Sequence, residues 1–134
     1  MLMLSAPHRD LVRDKGTMLG RILIGFLFFS SGLGMLLVQG PEGVAGYFSS
    51  MGLPMAGLLV WLVIIVKVTA GGAIMLGKRV GLASAVLILF TLLTIVIAHR
   101  SFDDINMFKN LAIVGGLLYL MAYGPGGSNT RLAE

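Results

Sequence analysis

Cysteine is absent from this chain, which excludes a disulfide framework, a thiolate metal site, an iron–sulfur cluster and any thiol-based redox relay. Histidine is nearly absent: His8 and His99 alone leave little for a metal or bis-imidazole haem site. Charge is scarce too, at 12% of residues, about half the usual share of a soluble domain. Acids are scarcest of all. The six carboxylates are Asp10, Asp14, Glu42, Asp103, Asp104 and Glu134, and none falls inside a long apolar run. There is no phosphate loop, nucleophile triad or metal-ligand spacing, and the lack of an intramembrane acid argues against a carboxylate-driven exporter.

What remains is apolar. Hydrophobic residues make up 57% of 134, with a mean hydropathy of +0.94. A chain this short cannot bury that much apolar side chain in water, so its solvent is lipid. The net charge of +4 does not indicate nucleic acid, because the basic residues are scattered between apolar runs rather than gathered in a patch.

A helix needs about 20 apolar residues to cross the hydrocarbon core, and four stretches qualify: Met18–Val38, Met55–Gly77, Val80–Ala98 and Ile105–Tyr123. Backbone groups in lipid must be satisfied within their own element, so these are helices. The sequence predicts an all-α membrane protein, a four-helix bundle forming a single membrane domain over residues 1–134. In the loop Gln39–Pro54, Val44, Phe48 and Met51 fall at i, i+4 and i+7, the pattern of a short interfacial helix. The turn Gly77-Lys78-Arg79 is short enough to make the second and third spans antiparallel neighbours.

Basic residues set the expected orientation. Arg9, Arg13, Lys15, Arg21, Lys78, Arg79 and Arg131 share one side, against Arg100 and Lys109 on the other. Seven against two places both termini, with the tails 1–16 and 125–134, in the cytoplasm of an inner membrane. The first run follows a polar segment without a small-residue cleavage site and is expected to be retained as a span. Arg21, one turn inside its span, is expected to snorkel to the surface.

Small residues four apart, at Ser30/Gly34, Gly77/Gly81 and Ala112/Gly116, read as faces for close helix packing. Lys67 is the sharpest feature. It lies ten residues before Gly77, roughly 15 Å along the helix and near the bilayer centre. Ser30, Ser31, Thr91 and Thr94 fall at similar depth, which makes them and Lys67 a candidate intramembrane polar site. The bland reading is a lysine held by hydroxyls and free carbonyls. A second candidate is the outer mouth, where His99, Lys109 and Asn110 can hold a polar ligand head, shuttle protons or meet a partner. An ordinary solvated loop is its bland counterpart.

Several short motifs, taken in order, resemble the DoxX family of small bacterial membrane proteins. They are Arg21-x-x-x-Gly25, Phe28-Phe29-Ser30-Ser31-Gly32-Leu33-Gly34, Tyr47-Phe48, Gly52-Leu53-Pro54 and Gly71-Gly72 before Leu76-Gly77. They continue with His99, Phe108-Lys109-Asn110-Leu111-Ala112, Gly115-Gly116 and Gly124-Pro125-Gly126, covering about Leu19 to Gly127. The resemblance implies a four-helix membrane bundle. Some relatives are subunits of a thiosulfate:quinone oxidoreductase, and others are linked to oxidative-stress complexes. Two departures from the family pattern stand out: Met35 where members commonly carry Lys, and Lys67 where they commonly carry Glu.

The leading expectation is therefore an accessory or quinone-contacting subunit of a membrane redox complex, with no metal and no covalently bound cofactor. A non-catalytic structural or assembly protein is the first alternative, and a small-solute transporter or channel the second. The expected partners are the lipid bilayer, redox-complex subunits and quinone, and an oligomer is compatible with the small-residue faces.

Overall fold

The computed structural model describes residues 15–98 and 105–124. These form five helices, with no strand among the described residues: α1 (Thr17–Leu37), α2 (Pro41–Ser50), α3 (Ala56–Leu76), α4 (Val80–Ala98) and α5 (Ile105–Tyr123). All but α2 are long and apolar enough to cross a membrane. The predicted four-span bundle with a short helix in the first loop is the observed architecture, and the span ends lie within one residue of those read from hydropathy.

Helix ends follow from turn chemistry. Gly40 (φ 78°) feeds Pro41 into the first turn of α2, where a missing N–H costs nothing. Gly77 (φ 77°) ends α3 in the left-handed conformation, and Lys78 N donates to Ala73 O at 2.9 Å, a Schellman-type closure.

The interior is set by one register. The buried residues of α1 are Arg21, Gly25, Phe28, Gly32 and Met35, alternating steps of four and three. On α3 the same rhythm runs Val60, Ile64, Lys67, Gly71 and Ile74, all buried except half-buried Lys67. The two helices run antiparallel and pack more intimately than any other pair. Their closest approach is at Gly25 and Gly71: a Cβ on Gly71 would lie 2.8 Å from Phe29 N and 2.9 Å from Gly25 O. This is the small-residue packing that lipid favours, although the four-spaced pairs read from sequence do not make it. Nothing lies within 4 Å of a Cβ built on Gly34 or Gly81, and Gly116 meets only the tip of Ile24.

At the end of the bundle carrying the 77–79 turn, all four long helices share one core of Phe28, Ala70, Ile74, Val80, Ala83, Leu87, Leu117 and Leu120. At the other end α2 lies against α3, and Met35, Val44, Val60 and Ile64 form a smaller cluster. The outward faces are apolar as well, with Leu23, Phe26, Leu58, Ile65, Leu82 and Val96 exposed. In a membrane these meet lipid.

Candidate functional site

At the α2 end the bundle is open. A cavity of about 1210 Å³ lies between the second half of α1, the first half of α3, the second half of α4, and α2. The geometry follows from the packing above. Glycines pull α1 onto α3 at the other end, whereas Val63, Val66, Leu89, Phe90 and Leu93 hold α3 and α4 apart here as apolar walls. Val44, Phe48 and Met51, the three residues that mark α2 as amphipathic, all line the cavity. The short helix thus covers a hollow as well as lying at an interface.

Lys67 stands in this wall. Its Nζ donates to Ser31 Oγ at 2.9 Å and lies 5.6 Å from the centroid of the Phe90 ring, a cation–π contact. No carboxylate joins it: among the described residues Lys67 forms no ion pair. Gly32 matters here, because a Cβ on it would lie 3.0 Å from Lys67 Cβ. The lysine stem passes where another residue would stand.

Of the five residues read as an intramembrane polar site, the structure places Lys67, Ser31 and Thr94 on the cavity and leaves two elsewhere. Ser30 is exposed and its Oγ donates to Leu27 O at 3.3 Å. One residue step turns a helix by about 100°, so Ser30 and Ser31 cannot both face α3. Thr91 is buried at 3% exposure on the core side of α4, in line with Ser84, and neither hydroxyl has a partner among the described residues. Thr94 Oγ1 donates to Phe90 O at 3.0 Å. At the second candidate site, Lys109 is exposed, Asn110 is half-buried and neither lines the cavity, while His99 lies outside the described residues.

Arg21 corrects an expectation. Instead of snorkelling to the surface it is buried at 8% exposure, and its Nη1 donates to Ile74 O at 3.2 Å and Met75 O at 3.1 Å. A charged donor thus joins Gly77 N on Ile74 O and reaches Met75 O in the last turn of α3, where helical partners run out. A Cβ on Gly77 would collide with the guanidinium, so Gly77 serves both the turn and this clasp. The available sequence signal was the rhythm Arg21, Gly25, Phe28, Gly32, Met35, which puts Arg21 on the interior stripe.

The chemistry on offer is binding. An ammonium and a hydroxyl at one place in an apolar hollow suit the polar head of an amphiphile whose tail lies along the walls. Among the described residues no three His, Cys, Asp or Glu gather to hold a metal ion.

Comparison with known proteins agrees with this architecture. The sequence is 34% identical over 119 residues to the inner membrane protein YqjF of Escherichia coli K12, covering 86% of this chain and 88% of that one. It is 30% identical over 118 residues to the inner membrane protein YphA of the same organism, covering 81% and 83%. No solved structure matches the chain significantly. The DoxX family profile matches residues 16–100, which span α1 to α4 with α2 and both halves of the cavity wall. This integral membrane protein belongs to the DoxX family.

Proposed function

We propose that the protein is an inner-membrane accessory subunit of a redox complex and that it contacts quinone in the Lys67 cavity. The observation that carries this reading is a polar pair in the wall of a mostly apolar hollow, Lys67 Nζ against Ser31 Oγ at 2.9 Å. A quinone carbonyl accepts hydrogen bonds, which Lys67 can supply, and its isoprenoid tail suits walls of Val63, Val66, Leu89 and Leu93. The protein's part is to hold and orient the head group. Electrons would come from a partner subunit, since no cofactor-ligand set stands around the cavity among the described residues. The distribution of Lys and Arg supports cytoplasmic termini, which puts the cavity in the outer half of the bilayer. Lys109 and Asn110, in the first turns of α5, then lie toward the same outer surface, available to a partner or to an arriving head group.

Purification in a mild detergent, followed by mass spectrometry of extracted quinones and of co-purifying proteins, tests the reading. Quinone retained with a redox subunit supports it. Quinone content unaffected by Lys67→Met would remove Lys67 from the site, and a preparation holding neither quinone nor a redox subunit would leave an assembly role instead.

A further inference from the structure

We infer that the Lys67 cavity prefers an anionic single-chain amphiphile, a long-chain carboxylate, which competes there with quinone. The inference rests on the reading above that the cavity admits an amphiphile from the bilayer. It adds the charge of the head group.

Charge carries the argument. Lys67 has a hydroxyl and an aromatic face for company, and none of the four spans holds an acid. Glu42, the only carboxylate among the described residues, is exposed on α2 and does not line the cavity. A quinone carbonyl would take a hydrogen bond and bring no charge, whereas a carboxylate supplies a counter-ion that Lys67 lacks among the described residues. Charge-assisted hydrogen bonds are also roughly twice as strong as neutral ones.

Geometry points the same way. Ser31 Oγ accepts from Lys67 Nζ at 2.9 Å, so the serine proton remains available. One N–H and one O–H side by side match the two oxygens of one carboxylate. The volume of about 1210 Å³ exceeds what drug-sized ligands fill, and the walls near the polar pair are Met35, Val63, Val66, Leu89 and Phe90. A carboxylic acid can reach such depth through lipid in its neutral form. A phosphodiester stays charged and pays the full cost of burial, which sets diacyl phospholipid apart as an occupant.

The test uses the purified full chain in neutral detergent. Fluorescent cis-parinaric acid is bound and then displaced by palmitate, by hexadecanol or by dioleoylphosphatidylglycerol. Palmitate should displace the probe at a concentration about tenfold or more below that needed for hexadecanol, the factor expected of one charge-assisted contact. Lys67→Met should abolish that preference by weakening palmitate far more than hexadecanol, and Lys67→Arg should keep most of it. Equal displacement by acid and alcohol on the unaltered protein would overturn the inference, and that comparison stands even if a variant fails to fold. A preference surviving Lys67→Met would overturn it as well. Phosphatidylglycerol matching palmitate would reject the single-chain assignment. Acid preference in a protein that retains no quinone would sustain this inference and end the quinone reading; retained quinone without acid preference would do the reverse.

Discussion

Substituting Gly71 by Ala tests the packing that shapes the molecule, because it sets two opposing effects against each other. A methyl at this position lies 2.8 Å from Phe29 N and 2.9 Å from Gly25 O, whereas ordinary contact begins near 3.4 Å. Both obstacles are backbone atoms of α1, so no side chain can swing aside and the helices must separate. Overpacking of this kind costs about 1–3 kcal/mol. Against it, Ala gains about 1 kcal/mol over Gly in a helix interior. Gly115 provides the control: it lies inside α5 and nothing stands within 4 Å of a Cβ there. Gly115→Ala should therefore be neutral or stabilising. The difference between the two variants cancels the propensity gain and isolates the clash, so Gly71→Ala should be less stable than Gly115→Ala by about 1–3 kcal/mol. Reversible unfolding in mixed micelles, with helix content as the signal, measures this difference. Equal stabilities, or Gly71→Ala the more stable of the two, would refute the close approach of α1 and α3.

Arg21→Met should cost about 2–3 kcal/mol, since two carbonyls at the end of α3 lose a charged donor; thermal unfolding in detergent reads the loss, and Arg21→Lys should recover only part of it. Lys67→Glu should be destabilising alone and partly rescued by Met35→Lys, because both positions line the cavity and the α1–α3 register brings them within about one helical turn of each other. The double-mutant cycle should show a coupling of about 0.5–3 kcal/mol, and full additivity would show the two sites to be independent. Orientation is read by single cysteines in a chain that has none: Ser49→Cys should react with an impermeant thiol reagent in intact cells and Ser128→Cys should not, with the opposite pattern reversing the topology.

Hydropathy made the four long helices and their ends legible, because lipid imposes length and continuity on any span. It left helix rotation open. A membrane helix is apolar all round, so Leu23 facing outward and Phe28 facing the core look alike in sequence. The same ambiguity joined Ser30 to Ser31 and Thr91 to Thr94, where one member of each pair turns away from the cavity. Scanning for small residues four apart missed Gly25 and Gly32, because α1 follows steps of four and three and repeats its glycine after seven. The depth of Lys67 followed from counting along α3, but its neighbours depended on that unread rotation. Arg21 was misplaced for a related reason: proximity to a helix end suggests snorkelling, yet the interior stripe carries it onto the last-turn carbonyls of α3.

The central claim is that an amphiphile with an oxygen-bearing head occupies the cavity beside Lys67, and mapping a bound photoreactive quinone tests it most directly. Membranes carrying the protein are illuminated with an azidoquinone, and the labelled peptides are sequenced by mass spectrometry. Labels should concentrate in residues 31–51, 59–67 and 86–97, the stretches that line the cavity, with a loss of about tenfold in Lys67→Met. Labels spread over the exposed faces, such as Leu23, Leu118 and Met121, and unchanged in Lys67→Met, would contradict the claim.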